Sequence, residues 1–202
     1  MPELMPDLMP DLTIDPTRSA LVLIDLQHGI VSRPCAPRSG AKVVASAALM
    51  ADRCRHRGML VVLVHVNYGV DGKARLQQPV DEPTAMPGEM PLNWAEIVSE
   101  VGPQAGDIVI TKHQWGAFYG TDLDLELRRR GIRTIVLGGI ATNFGVESTA
   151  RDAWERNYEL ILVEDAMTSV AREAHELAVR VVFPRLGRVR STADVLAALG
   201  AV

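Results

Sequence analysis

Three positions in this chain carry residue types suited to chemistry, and each stands at the end of a short apolar run. Asp25 follows Leu21-Val22-Leu23-Ile24 directly, where a buried and unpaired carboxylate would be costly. It reads either as a proton donor or acceptor or as a turn cap. Lys112 closes the run Ile108-Val109-Ile110-Thr111. Of the 21 basic residues only Lys42, Lys73 and Lys112 are lysines. In a chain that otherwise chooses Arg, a Lys at this place reads as an ammonium needed for its compact charge and three donors, or as an ordinary surface Lys. Gly145 follows Gly138-Gly139-Ile140-Ala141-Thr142-Asn143-Phe144 and falls in the first turn of an expected helix. Glycine costs about 1 kcal/mol there relative to Ala. The position therefore points to a close approach to the backbone or to tight helix packing. The free N–H groups of such a turn suit an anion or oxyanion.

The elements that must position these groups are legible as runs and stripes. Ala20–Ile24, Leu60–Val66, Ile108–Thr111, Thr134–Gly139 and Leu160–Val163, with a weaker run near Arg188–Arg190, do not alternate with polar residues. That is the pattern of strands buried on both faces of a parallel sheet. Ser39 is placed to cap a helix with the stripe Val43, Val44, Ala47, Met50, Ala51 and Cys54, ended by Gly58. Thr121 opens another, with acids at its start and arginines at its end, as the helix dipole favours. A third begins near Thr142–Asn143. A fourth carries Ala174, Leu177, Ala178, Val181 and Val182 and is expected to stop at Pro184. Ser191-x-x-Asp194 opens the last in a capping-box-like pattern.

This alternation predicts a three-layer α/β/α fold, doubly wound around a mainly parallel sheet of about six strands in the Rossmann-like order 3-2-1-4-5-6. Ligands of such sheets bind at the carboxyl ends of the strands, near the point where the strand order reverses. Residues 16–202 read as one domain, with no appended carrier domain. Residues 1–15, where a Met-Pro-x-Leu tetrad is written nearly three times, read as an extended leader or as an arm on a neighbouring subunit. The stretch Asn67–Gly106, with Pro79, Pro83, Pro87, Pro91 and Pro103, reads as a lid or binding loop that decides specificity.

Composition excludes several classes. With 48% hydrophobic and 23% charged residues the chain is in the ordinary globular range, which excludes intrinsic disorder. A net charge of −4 advertises no nucleic-acid partner, and Arg128-Arg129-Arg130 read as cations at a helix end. No apolar run reaches the ~18 residues of a membrane span, and the N-terminal residues do not read as a signal peptide. A cytoplasmic protein acting on a small molecule, as a homo-oligomer (dimer or tetramer), is expected. Cys35 and Cys54 make neither a disulfide framework nor a four-ligand zinc site. The five histidines show no ligand spacing, so neither metal nor cofactor is expected. Trp115, Phe118 and Tyr119 cluster after Lys112 in a chain with 4% aromatics, as a pocket wall or a subunit interface. Gln27, His113, Thr142 and Asn143 are candidates for orienting a substrate, with a purely structural hydrogen bond as the alternative for each.

Three segments together resemble the isochorismatase-like (cysteine hydrolase) superfamily, over about Arg18 to Leu199. They are Ala20-Leu-Val-Leu-Ile-Asp-Leu-Gln27, Lys112-His-Gln-Trp-Gly-Ala-Phe-Tyr-Gly-Thr-Asp-Leu123 and Gly139-Ile-Ala-Thr-Asn-Phe-Gly-Val-Glu-Ser-Thr-Ala-Arg-Asp-Ala153. The chain looks closest to a bacterial branch with Gly at the nucleophile position. The resemblance implies a catalytic Asp, Lys and Cys, matched here by Asp25, Lys112 and, at the Cys position, Gly145. It also implies a non-proline cis peptide at Ile140–Ala141 that turns backbone N–H groups toward the substrate. The metal pattern of the nicotinamidase members, Asp-x-His after the second strand, is replaced by Val64-His65-Val66-Asn67.

Gly145 supplies no thiol, which closes the thioester route of the amidase members. True isochorismatases are similar to this chain in having Gly there. Their reaction, protonation of a vinyl ether by a carboxylic acid followed by addition of water, implies Asp25 as a proton donor with a raised pKa. Lys112 opposes that shift, and is assigned either the substrate carboxylate as partner or a proton shared with Asp25. The resemblance thus implies a cofactor-free hydrolase of a small carboxylate such as a vinyl ether. The alternatives are an amide or carbamoyl hydrolase using activated water, and a non-catalytic member that binds a small molecule.

Overall fold

The computed structural model describes residues 12–69, 71–83 and 90–200. Most of the expected leader lies outside the described residues. Six strands form one sheet: β1 Ser19–Ile24, β2 Leu60–Val66, β3 Ile108–Lys112, β4 Thr134–Ile140, β5 Glu159–Thr168 and β6 Arg188–Arg190. Their order is β3-β2-β1-β4-β5-β6, and every neighbouring pair is parallel. The expected order and parallel character are both observed.

The unbroken apolar runs follow from burial on two faces. Leu21, Leu23, Val61, Leu63, Val136, Ile161 and Val163 pack on one side against Val43, Ala47, Met50 and Cys54 of α2 (Gly40–His56) and Val195 of α7 (Thr192–Ala198). Their sequence neighbours Ala20, Val22, Ile24, Val62, Val64, Ile135, Leu137, Leu160 and Leu162 point to the other side. There they meet α3 (Leu123–Arg129), α4 (Glu147–Glu155) and α6 (Phe183–Leu186). Successive side chains of a strand alternate between faces, so a strand covered twice needs apolar residues throughout. Two caps form where the sequence places them. Ser39 Oγ accepts from Lys42 N–H, and Ser191 and Asp194 form a capping box; α3 instead has Asp122 as its N-cap, with Thr121 one residue further out, its Oγ1 accepting from Leu123 N–H.

Three further expectations are corrected. β5 runs past Val163 to Thr168, because its polar residues are partnered: Glu164 by Arg38, and Asp165 by the Thr192 N–H and hydroxyl. The fourth helix does not stop at Pro184. It runs as α5 (Arg172–Leu177), a π-turn Ala178–Val182 and α6 to Leu186. Pro184 opens a fresh turn there, where a missing N–H does no harm. Its buried face is also different. Leu177 and Val181 are exposed, while His175, Ala178 and Phe183 are buried. The third helix begins as expected at Thr142, but with a π-turn, Thr142–Val146, before α4.

The Asn67–Gly106 segment contains no helix or strand among its described residues. Its second half is nevertheless fixed. His28 N–H donates to Glu96 O at 2.9 Å, Gly29 N–H to Trp94 O at 3.0 Å, and Val98 N–H to Leu26 O at 3.0 Å. Trp94, Val98 and Val101 are buried. This half closes over α1 (His28–Val31), the short helix that leaves the end of β1.

Candidate active site

The carboxyl ends of β1, β3 and β4 converge where the strand order reverses. Asp25 leaves β1 with φ 55°, in the left-handed region that Asp tolerates better than most residues. Its N–H still donates to Val64 O at 2.8 Å, so the turn is anchored to β2. Lys112, the last residue of β3, is buried and reaches Asp25. Nζ donates to Asp25 Oδ2 at 2.8 Å, to Gln114 O at 3.0 Å and to Trp115 O at 2.9 Å. Two backbone carbonyls and one carboxyl oxygen thus surround Nζ. All three contacts are made within the chain, and of the two partners expected for Lys112 the one seen here is Asp25.

Asp25 is only half satisfied. Among the described residues, Oδ1 is the one buried side-chain nitrogen or oxygen with no hydrogen-bond partner. Such atoms are rare, and each calls for an explanation. Burial pushes the Asp25 carboxyl above its ordinary value of 3.8, and this outweighs the opposing pull of Lys112 and the smaller pulls of His65 and the Val66 amide. The Val66 N–H itself donates to Gln27 Oε1 at 2.8 Å.

Gly145 faces this carboxyl from the π-turn. A Cβ built on it would stand 3.0 Å from Ile24 Cγ2, 3.1 Å from Asp25 Oδ2 and 3.4 Å from Trp115 O. The close approach anticipated at this glycine is thus to Asp25 itself and to the end of β1. The glycine lets two strand ends close on each other, and a side chain there would have to push Ile24 or Asp25 aside. Gly139, with φ 128°, serves the same closure, since its Cβ would lie 2.1 Å from Ile24 O. The Ile140–Ala141 peptide between them is cis.

The other candidates divide. Trp115 is half-exposed and its ring packs on Phe144 with centroids 4.8 Å apart, beside the carbonyl that receives Lys112. Asn143 is half-buried, with Oδ1 accepting from Ser169 Oγ. His113 is exposed and Nδ1 meets Asn67 O at 2.5 Å, fastening the exit of β2. Gln27 does not face a substrate. It is fully buried, its Nε2 donating to Val66 O and Trp94 O while Oε1 takes Val66 N–H, so it clasps β1 to β2 and to the long loop. Phe118 is no pocket wall. It lies in the core against Tyr158, under Arg156. Tyr119 is 77% exposed. Thr142 is buried with its hydroxyl engaged by His175, 2.8 Å away.

Two neighbours of the site escape a reading of the sequence. Tyr68 stands just past the end of β2, its ring on Trp94 with centroids 5.8 Å apart. Burial, the largest cause, holds the Tyr68 hydroxyl above the usual range, against Arg75 and Arg33. Trp94 covers Gly29, where a Cβ would strike the indole at 2.2 Å. The rule that ligands bind at strand ends could have pointed to Tyr68. Neither cysteine stands at the Gly145 position: Cys54 is buried, with its thiol pushed up to about 12, and Cys35 is half-buried. Among the described residues no three His, Cys, Asp or Glu side chains gather as metal ligands.

The Isochorismatase domain model matches residues 19–194. The chain belongs to the isochorismatase family. Members of the isochorismatase family are hydrolases, and this chain is one of them. It is 50% identical over 184 residues to the isochorismatase family protein YwoC of Bacillus subtilis, covering 91% of this chain and 95% of that one. An isochorismatase family protein from Burkholderia thailandensis superposes with a TM-score of 0.88 at 50% identity, over 94% of this chain and 98% of the other. The ureidoacrylate amidohydrolase RutB of Variovorax paradoxus is 33% identical over 187 residues, 82% of this chain and 74% of its own. No helix among the described residues is long and apolar enough to cross a membrane.

Proposed function

We propose that this isochorismatase-family hydrolase cleaves a small vinyl-ether carboxylate by acid-assisted addition of water, with Asp25 as the acid. The observation that carries the reading is the Asp25 carboxyl: its Oδ1 is buried and without a partner, and its Oδ2 lies beside a glycine where a nucleophile would stand. The reading requires the Asp25 carboxyl to hold a proton in the resting site, and burial pushes it in that direction against the opposing pull of Lys112. Oδ1–H transfers that proton to the enol-ether carbon. Water adds to the resulting oxocarbenium carbon, and the hemiketal collapses to a ketone and an alcohol. The carboxylate left behind is met at 2.8 Å by the Lys112 ammonium. Lys112 therefore stabilises the charge that forms during reaction, which is the economical use of a preset cation. The opposition between Lys112 and a protonated Asp25 becomes a division of labour between the two ends of the proton transfer.

Pyruvate release from isochorismate tests this directly. The wild-type protein releases pyruvate and Asp25→Asn does not. Turnover that survives Asp25→Asn removes the assigned role. A second reading, hydrolysis of an N-carbamoyl acid by activated water with Asp25 as base, draws support from the RutB relative, whose name gives ureidoacrylate as substrate. Ammonia release from ureido acids, without pyruvate release from isochorismate, would favour it over the first.

A further inference from the structure

The turn that carries Gly145 is fastened from behind by a buried histidine. His175, on α5, presents Nδ1 to Thr142 Oγ1 at 2.8 Å and Nε2 to Arg38 Nη1 at 3.4 Å. Arg38 only donates, so Nε2 must accept and the imidazole proton must lie on Nδ1. Nδ1–H therefore donates to Thr142. Arg38 is itself held, by Glu164 O at 3.1 Å and Glu164 Oε2 at 3.2 Å, and its N–H donates to Thr168 Oγ1 at 3.3 Å. Ser169 Oγ adds a second fastening on Asn143. The chain of contacts runs from Glu164 at β5, through Arg38 and His175, to the first residue of the π-turn.

We propose that His175 is a positioning residue: as a neutral imidazole with its proton on Nδ1, it holds Thr142 and so keeps the Thr142–Val146 turn, with Gly145, pressed against Asp25. Its functional consequence rests on the reaction proposed above. Nothing in that reaction uses His175 directly, and a merely space-filling residue would need no such tautomer.

The arrangement is sensitive to acid in one direction. A second proton would have to sit on Nε2, which faces the Arg38 guanidinium. The charged groups around the ring are Arg38 from the loop before α2, Glu164 from β5, and Arg172 and Glu176 from its own helix. Burial, helped by Arg38, holds the imidazole below its ordinary value of 6.5, while the two glutamates pull the other way. The fastening is thus intact at neutral pH and lost as pH falls through the depressed value.

The test pairs a substrate-free readout with turnover. Histidine 15N spectra of the whole chain, with the His175 signal assigned by its loss in His175→Asn, are expected to show the Nδ1–H tautomer. Amide signals of Thr142, Asn143 and Gly145 shift in His175→Ala and return in His175→Asn, whose side-chain N–H occupies the place of Nδ1. With isochorismate as probe, kcat falls about tenfold in His175→Ala, the worth of one hydrogen bond near the reacting groups. KM is little changed, and His175→Asn restores kcat and loses the acidic limb of the pH profile. An Nε2–H tautomer, or turn amides unmoved in His175→Ala, overturns the proposal. A wild-type protein that releases no pyruvate counts against the reaction instead, and the amide spectra then decide the role of His175 alone.

Discussion

Two contacts between an acid and a cation in this molecule, one half-buried and one buried, look alike on paper and differ in one atom. Arg55 and Asp107 meet at 2.7 Å, and both oxygens of Asp107 are occupied: Oδ1 by Arg55 Nε, Oδ2 by Arg55 Nη2 and by Gln104 N–H. Lys112 and Asp25 meet at 2.8 Å, and Oδ1 of Asp25 is left without a partner. The cations are equally well used, since Arg55 also bonds Val101 O and Lys112 bonds two carbonyls. The contrast lies in the acid. A saturated pair joins α2 to the entry of β3 and has no capacity left for chemistry. A pair one donor short, placed at the switch point of the sheet, keeps a polar atom in reserve at a cost in stability.

The comparison can be broken at either pair. The largest effect is expected at Asp25. Asp25→Asn keeps an acceptor for Lys112 but cannot deliver a carboxyl proton, so turnover falls by roughly 10²–10⁴-fold. Product release per enzyme, measured beside an unfolding curve, separates lost chemistry from lost fold. Arg55→Met should do the reverse. It strands the half-buried Asp107 and costs stability in urea unfolding, up to the roughly 3–5 kcal/mol of breaking a fully buried pair, with kcat unchanged in the folded fraction. A smaller effect follows at Gly145. The added methyl of Gly145→Ala meets Ile24 and Asp25 at 3.0 and 3.1 Å, an overpacking worth about 1–3 kcal/mol. Because Asp25 is one of the two neighbours displaced, turnover falls with stability. Loss of stability alone would show that Ile24 gives way instead.

The sheet was legible in the sequence because burial on two faces leaves no polar residue in a strand, as Leu21 to Ile24 show. The extension of β5 was not, because Glu164 and Asp165 resemble a loop until Arg38 and Thr192 are seen to satisfy them. Asp25, Lys112 and Gly145 stood out because each residue type is unexpected where it occurs. Phe118 misled because nearness in sequence to Trp115 does not fix which side of the layer a ring enters. Gln27 was ambiguous because an amide with four hydrogen-bonding sites serves a clasp as well as a substrate. His175 was hidden by its helix, whose apparent stripe of Leu177 and Val181 faces out, and Tyr68 by the irregular stretch that contains it.

The protonation of Asp25 decides the central claim. A carboxyl whose folded-state pKa stands above its unfolded value stabilises the fold below the unfolded value and loses that contribution as pH rises through the folded one. Wild-type protein should therefore lose stability relative to Asp25→Asn as pH rises from 3.8. The direct measurement is a 13C NMR titration of the Asp25 carboxyl, assigned by its disappearance in Asp25→Asn. A midpoint above the pH of the assay is the predicted result, in the direction in which burial pushes the group. A midpoint below the pH at which the enzyme turns over would mean an anionic Asp25 in the resting site, paired with Lys112 and without a proton to give, and would contradict the account.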